Sequence, residues 1–161
     1  VGAGIAQGLA FGADLPVIAV SNLTAMAQAA FELHQAENVA AAIDARMNEV
    51  YLSHVKREKV RSEFGEFFQW NPVIEEQVCQ PEKVLEQLSD LTAYRVGTGW
   101  AAYPQFKDSG LEGSDIILPS AQYMLELALT DYAQNKIISA LEIEPVYLRN
   151  EVTWKKLPGR E

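Results

Sequence analysis

The sequence predicts an α/β fold in which helices cover a mixed β-sheet. Runs of apolar and β-branched residues typical of strands are grouped between residues 39 and 78, and helical patterns alternate with shorter strands after residue 80. Strands that come first as a group and then alternate with helices indicate an α/β domain. From the residues alone, ribonuclease-H-like, flavodoxin-like and ferredoxin-like arrangements all stay open.

Composition limits the class of protein. The 161 residues suit one domain with a sizeable core, and 48% hydrophobic with 22% charged residues is typical of a soluble globular chain. A formal net charge of −9 argues against direct binding of this domain to nucleic-acid phosphates, so any role with RNA is expected to be indirect. Cys79 is the single cysteine, which excludes an internal disulfide and is consistent with a cytoplasmic location.

The chain also lacks the sequence signs of membrane insertion or export. No apolar run approaches the roughly 20 residues that span a bilayer, and no basic segment precedes the apolar start as in a signal peptide. The sequence begins inside a small-residue apolar segment rather than with methionine, which suggests a piece of a longer protein.

The first predicted element is a helix over residues 1–11 with a small-residue face formed by Gly2, Gly4 and Gly8. Each glycine costs a helix roughly 1 kcal/mol relative to alanine. We therefore expect this helix to need close packing against another element. Gly12 is the expected C-terminal stop.

A short strand and a second helix are predicted next. Residues 15–20 are apolar and contain Pro16, which suits an edge strand or the start of a strand. Ser21 or Asn22 then caps a helix. Its apolar stripe consists of Leu23, Met26, Ala27, Ala30 and Phe31.

The grouped strands predict a β-hairpin followed by a further strand. Residues 39–43 form a buried-type strand, and residues 50–55 are its expected hairpin partner. The charged residues 56–61 suit a loop or an exposed strand end. Residues 64–78, which include Pro72, predict one more strand.

Predicted helices and strands alternate after residue 80. Pro81 at a first-turn position starts a helix, and residues 94–96 form a strand stopped by Gly97. A short helix over 101–107 comes next. The residues expected to face inward from the first of these helices are Val84, Leu85 and Leu88.

The strongest helical periodicity lies near the end of the chain. Pro119 and Ser120 open this predicted helix, and residues 146–148 resemble a last strand before a polar tail at 151–161. The apolar residues at helical spacing are Ala121, Met124, Leu125, Ala128, Leu129 and Tyr132.

Two motifs carry possible chemistry. Asp44, Arg46 and Glu49 form a polar turn at the end of an apolar strand, where a carboxylate can hold Mg²⁺ or its waters. The alternative is an Asp–Arg pair that only shapes the hairpin. The second motif begins at Gly97, Thr98 and Gly99, where glycines allow positive φ or close approach of the backbone to a flat ligand.

Other site classes find little support in the sequence. The glycine pattern over residues 1–8 resembles a dinucleotide fingerprint, but Val20 and Ser21 stand where the ribose-binding acid is expected. His34 and His54 are the only histidines, so no zinc-type cluster or helical His pair exists. No Gly-x-Ser-x-Gly elbow is present. Composition leaves a Ser–His–Asp triad open, but no nucleophile signature supports one, and we expect no catalytic residue, no metal site and no cofactor.

Three short segments resemble the TsaB (YeaZ) family. They are Gly8-Leu9-Ala10, Ile43-Asp44-Ala45-Arg46 and Pro145-Val-Tyr-Leu-Arg149, in the family's order. The resemblance covers essentially the whole chain and implies an actin-like, ribonuclease-H-like fold. It implies that residues 1–14 are a remnant helix of an N-terminal lobe, that 15–150 form the C-terminal lobe and that 151–161 form a polar tail.

The resemblance also implies a function. TsaB-type proteins are expected to be non-catalytic subunits that bind and stabilise the catalytic subunit TsaD. With the ATPase TsaE they support threonylcarbamoylation of the tRNA adenosine next to the anticodon. The expected partners are TsaD, TsaE and a second copy of the chain, with tRNA only indirectly.

The resemblance assigns residues to three roles. Gly4, Ile5, Gly8 and Leu9 are the expected partner interface. The expected vestigial nucleotide-site motifs are Asp44, Arg46, Glu49, Gly97, Thr98 and Gly99, with Trp100 filling the space that an adenine would need. In the C-terminal motif, which starts at Pro145, we expect Tyr147 and Leu148 to be buried beside the sheet of the first lobe or the long helix, and Arg149 to pair with a carboxylate.

Two alternatives stay open. One is an autonomous ATP-binding or hydrolytic, glycoprotease-like protein of the same fold. The other is a dinucleotide enzyme, which requires a strand directly before Val1. For Lys155, Lys156 and Arg160 the sequence allows a solvated tail or a minor contact with tRNA or an acidic surface.

Overall fold

A four-stranded mixed sheet forms the centre of the computed structural model, which describes residues 2–62 and 65–149. Its strands are β1 (Asn38–Arg46), β2 (Glu49–Ser62), β3 (Gly65–Cys79) and β4 (Tyr94–Val96). Their order is β3-β2-β1-β4, with β1, β2 and β3 antiparallel and β4 parallel to β1. The predicted mixed sheet and its hairpin are therefore confirmed.

Helices lie on both sides of this sheet. They are α1 (Gly2–Ala13), α2 (Asn22–His34), α3 (Pro81–Gln87), α4 (Gly99–Ala102), α5 (Pro104–Asp108) and α6 (Met124–Ala133), with 3-10 turns at Ala121–Tyr123 and Ala140–Glu142. No helix in the described ranges is long and apolar enough to cross a membrane.

Residues 39–42 of strand β1 are buried on both faces because helices cover the sheet on both sides at this point. Val39 and Ala41 point toward α2, whereas Ala40 and Ala42 point toward α3, α4 and α5. A strand covered on both faces is expected to be apolar throughout rather than alternating. This explains the continuous run of small apolar residues.

Helix α2 forms where its cap and stripe predict it. The Ser21 backbone is extended and its Oγ accepts a hydrogen bond from the Leu23 N–H at 3.1 Å. The helix ends at Gln35, whose φ of 56° is left-handed. Its buried stripe confirms the prediction and includes Leu23, Met26, Ala27 and Ala30.

The charged stretch 56–61 is an exposed strand end, as one of the two interpretations expected. Strands β2 and β3 continue past the end of β1 as a two-stranded ribbon. The Arg57 guanidinium lies between the rings of Phe31 and Phe68, at 3.6 and 3.7 Å from their centroids. Stacking on two rings fastens the ribbon to α2.

Four predicted elements differ in the structure. Residues 15–20 form no strand beyond one bridge between Val17 and Ile138, because the rest of this segment has no neighbouring strand in the described chain to pair with. Helix α1 passes Gly12 and ends at Ala13, before Asp14 with a φ of 53°. The helix expected over 101–107 is divided in two at Pro104.

The fourth difference is in the C-terminal motif. Residues 146–148 form no strand, and within the described chain Tyr147 is 70% exposed and Leu148 is half-buried. No strand of the described chain lies beside them to pair with. The polar tail at 151–161 lies outside the described residues.

The apolar stripe of α6 is also exposed. Leu125, Leu129 and Tyr132 are 72%, 69% and 62% exposed. Periodicity identified the apolar side of the helix correctly, but no part of the described chain covers it.

Polar contacts lead from the buried His54 on β2 to the partly exposed Asp90. His54 is 1% exposed, and its Nε2 donates to Asn38 Oδ1 at 2.7 Å. The Asn38 amide donates in turn to Asp90 at 2.9 Å. Hydrogen bonds from Thr92, supported by Asn38, lower the pKa of Asp90 to about 2.

Stability is predicted to fall in mild acid because of His54. Burial lowers its pKa below the ordinary 6.5, although Asp90 opposes this. The unfolded chain therefore binds the proton at a higher pH than the folded chain. The free energy of unfolding is expected to be highest above the unfolded pKa and to drop from about pH 7 toward about pH 5.

Urea unfolding at a series of pH values measures this effect. His54→Gln should reduce the fall in the free energy of unfolding between about pH 7 and about pH 5. His34→Gln is the control and should leave the contribution of His54 to this fall unchanged. An unchanged slope in His54→Gln would show that other groups produce it.

Candidate functional site

The β1–β2 turn brings Asp44 against the corner between β4 and α4. Asp44 Oδ1 accepts hydrogen bonds from the Tyr103 hydroxyl at 2.7 Å and from the Arg46 N–H at 2.9 Å. The Asp44 N–H donates to Thr98 Oγ1 at 3.1 Å. The two motifs that the sequence separates by about fifty residues therefore meet in one place.

The Tyr103 hydroxyl is the main reason that the pKa of Asp44 is lowered, followed by the Arg46 N–H. Burial, and then the Asp44 carboxylate, raise the pKa of Tyr103. The hydroxyl also lies 3.0 Å from the Glu49 carbonyl oxygen. Sequence reasoning missed Tyr103, because a contact with a residue 59 positions away has no local signature.

Glu49 pairs with Arg149 rather than with Arg46. The Glu49 carboxylate accepts from the Arg149 guanidinium, which confirms the expected pairing of Arg149 with a carboxylate. The Arg46 side chain is exposed, and this residue contacts Asp44 through its backbone N–H. The hairpin is therefore shaped by backbone and C-terminal donors, not by an Asp–Arg side-chain pair.

The glycines at the corner allow close approach to strand β1. Gly97 has a φ of +106°, and a Cβ there would lie 2.1 Å from the Ala42 carbonyl oxygen. A Cβ at Gly99 would lie 2.9 Å from the same oxygen. Both positions therefore require glycine for packing within the chain, whether or not a ligand binds.

Trp100 fills the space behind this corner. It is 1% exposed, its Nε1 donates to the Val96 carbonyl at 2.9 Å, and its ring packs against Phe106 at 5.0 Å between centroids. A depression of about 540 Å³ lies on the outer side, lined in part by Tyr103, Pro104 and Glu112.

Helix α1 presents an uncovered face. Ile5 and Leu9 are 59% and 71% exposed, and a Cβ at Gly4 or Gly8 would meet nothing within 4 Å. The close packing expected for these glycines is therefore not made within the described residues. One side-chain hydrogen bond, from Gln7 to the Ala140 carbonyl at 2.9 Å, ties the helix to the body.

The carboxylates of this site do not gather as metal ligands. In residues 2–62 and 65–149, no three His, Cys, Asp or Glu side chains lie close enough to hold a metal ion.

Removing the Tyr103 hydroxyl is predicted to loosen this site. Tyr103→Phe should lower the free energy of unfolding by about 1 kcal/mol, because a hydrogen bond to a half-buried carboxylate is lost. The pKa of Asp44 should rise toward its ordinary 3.8. Urea unfolding and an NMR titration of the Asp44 carboxyl measure both effects. An unchanged Asp44 titration would show that the hydroxyl does not set its pKa.

Comparison with known proteins gives three kinds of likeness. The family model described as "TsaD: tRNA N6-adenosine threonylcarbamoyltransferase" matches residues 1–150. The chain is 76% identical over its 161 residues to the tRNA threonylcarbamoyladenosine biosynthesis protein TsaB of Haemophilus influenzae, covering 68% of that protein. It is 46% identical to the TsaB of Escherichia coli, covering 69% of it.

Solved structures agree with this likeness. YeaZ from Pseudomonas aeruginosa matches 91% of the chain with a TM-score of 0.76 and 35% identity, and the match covers 66% of that structure. This similarity confirms the expected actin-like lobe, in which three antiparallel strands are joined by a parallel fourth. The chain spans about two thirds of the length of these relatives.

Proposed function

This chain belongs to the TsaB (YeaZ) family of tRNA threonylcarbamoyladenosine biosynthesis proteins, and we propose that it acts there as a non-catalytic subunit. In this proposal it binds and stabilises TsaD, which holds the metal and transfers the threonylcarbamoyl group. The acceptor is the tRNA adenosine next to the anticodon, and TsaE supports the reaction as the ATPase.

The uncovered face of α1 is the observation that carries the proposal. Two large apolar side chains, Ile5 and Leu9, stand beside Gly4 and Gly8, which leave room for a second helix to approach closely. Fully burying each large side chain is worth about 1.5–3 kcal/mol. This face therefore suits association with TsaD or with a second copy of the chain.

The geometry of the turn supports a subunit without its own chemistry. The Asp44 and Glu49 carboxylates are occupied by protein donors, from Tyr103, Arg46 and Arg149. The corner glycines are explained by their approach to Ala42. We therefore regard the turn and corner as a vestige of a nucleotide site.

The division into two lobes is part of the proposal. Residues 1–14 would belong to a first lobe, and 15–150 would form the second. The exposed stripe of α6 supports this division, since Leu125, Leu129 and Tyr132 need a covering element. The net charge of −9 supports an indirect role with tRNA. The proposed location of the protein is the cytoplasm.

An autonomous ATP-binding or hydrolytic protein is the second candidate, because the depression of about 540 Å³ adjoins the glycine corner. Trp100 argues against it, since its ring is buried and, by the family resemblance, fills the space that an adenine would need.

Size-exclusion chromatography and calorimetry separate the two candidates. The full-length protein mixed with TsaD should elute as a complex, and ATP or ADP added to the protein alone should give no measurable heat of binding. Tight nucleotide binding without complex formation would favour the second candidate.

A further inference from the structure

The segment 143–149 is fastened to the β1–β2 turn by one side chain. The Arg149 guanidinium pairs with the Glu49 carboxylate, donates to the Arg46 carbonyl at 3.3 Å and contacts Met47 Sδ at 3.5 Å. Its side chain is only 16% exposed. Charge-assisted bonds of this kind are stronger than neutral ones.

The segment has few other polar contacts. Residues 143–149 form no helix or strand, and Val146 is 81% exposed. In the part of the chain that the structure describes, the hydrogen bonds that join these residues to the rest of the fold all come from Arg149. Ile143 and Leu148 are half-buried, so loss of the Arg149 side chain removes the polar contacts of the segment and should loosen it.

The turn that Arg149 contacts is strained. Arg46, Met47 and Asn48 have φ values of 63°, 57° and 58°, so three successive non-glycine residues are left-handed. Such a conformation costs about 1–2 kcal/mol per residue outside Asn and Asp, and it persists only where the surroundings impose it. Arg149 acts on both ends of this turn, at the Arg46 carbonyl and at Glu49.

The same turn is connected to the β4–α4 corner. The Tyr103 hydroxyl lies within hydrogen-bond distance of both Asp44 Oδ1 and the Glu49 carbonyl. A continuous set of polar contacts therefore runs from Arg149 through Glu49 and Tyr103 to Asp44 and Thr98.

We propose that Arg149 is a latch that holds the strained turn and the segment 143–149 in one closed state. When the latch opens, the turn relaxes and the segment is released together with it. A binding partner that takes up the segment would then change the turn and the Asp44 corner. This inference concerns the chain itself and does not depend on the proposed function.

Two local probes on the full chain test the latch. Amide hydrogen exchange reports opening of Arg46, Met47 and Asn48, and chymotrypsin cleavage after Tyr147 reports release of the segment. Arg149→Met keeps the length of the side chain and removes its charge and donors. Both exchange and cleavage should become about tenfold faster, as expected for loss of a charge-assisted hydrogen bond.

Further variants separate a latch from a simple surface ion pair. Glu49→Gln should accelerate both probes, and Arg149→Lys should do so less than Arg149→Met. Lys136→Met breaks an exposed ion pair with Asp131 elsewhere and should leave both probes unchanged. Thermal unfolding should show that every variant stays folded.

The proposal requires that hydrogen exchange and cleavage respond together to Arg149→Met. If Arg149→Met accelerates cleavage after Tyr147 but leaves exchange at residues 46–48 within about twofold of wild type, the turn is independent and the latch is wrong. If neither probe changes, the Arg149–Glu49 contact does not hold the segment and the proposal is also wrong.

Discussion

Gly97→Ala is expected to destabilise the chain strongly. The new Cβ would lie 2.1 Å from the Ala42 carbonyl oxygen, on the rigid central strand β1. The φ of +106° adds strain for any L side chain. Overpacking costs roughly 1–3 kcal/mol and positive φ about 1–2 kcal/mol, so the expected loss is about 2–5 kcal/mol.

The free energy of unfolding of a typical domain is about 5–15 kcal/mol, so a loss of this size is a large part of it. Urea unfolding measures it, or the soluble yield where the variant does not fold. Gly110→Ala is the matched control, because Gly110 also has positive φ, at +71°, but open space around its Cβ. Equal losses in the two variants would show that the contact with Ala42 is unimportant.

Charges on the α1 face are expected to weaken association strongly without unfolding the chain. Ile5→Glu combined with Leu9→Glu places two carboxylates where the proposed interface must exclude water. Because both side chains are largely exposed, the fold should be unaffected. Hot-spot residues at the centre of an interface cost about 2 kcal/mol or more when truncated, so if Ile5 and Leu9 are the centre of the proposed interface, binding to TsaD should weaken at least about thirtyfold.

Calorimetric titration of TsaD with the full-length protein measures this loss. Leu91→Glu is the control, because Leu91 is 61% exposed but lies between α3 and β4, away from α1. It should bind like wild type. Normal binding by the α1 variant would place the TsaD interface elsewhere.

The sheet and α2 were predictable because local patterns determine them. Val39 to Ala42 are apolar on both faces, as a central strand requires, and Ser21 is a cap that needs no distant partner. The family resemblance assigned the two motifs to one vestigial site, but the hydrogen bond between Asp44 and Thr98 was not predicted, since no local rule places two distant turns together.

The features that sequence reasoning missed depend on distant partners. Tyr103 looks like any packing aromatic until the β1–β2 turn places Asp44 beside it. The stripe of α6 was identified correctly, but periodicity cannot say which element covers it. The strands expected at 15–20 and 146–148 failed because a strand needs a neighbour to pair with, and apolar composition does not supply one.

Reconstituted tRNA modification tests the central claim most directly. The assay contains TsaD, TsaE, ATP, the threonylcarbamoyl donor and substrate tRNA, with or without the full-length protein. The accessory-subunit account predicts that threonylcarbamoyladenosine formation collapses when the protein is omitted, while the protein alone modifies no tRNA and turns over no ATP. Undiminished modification in its absence would contradict the account.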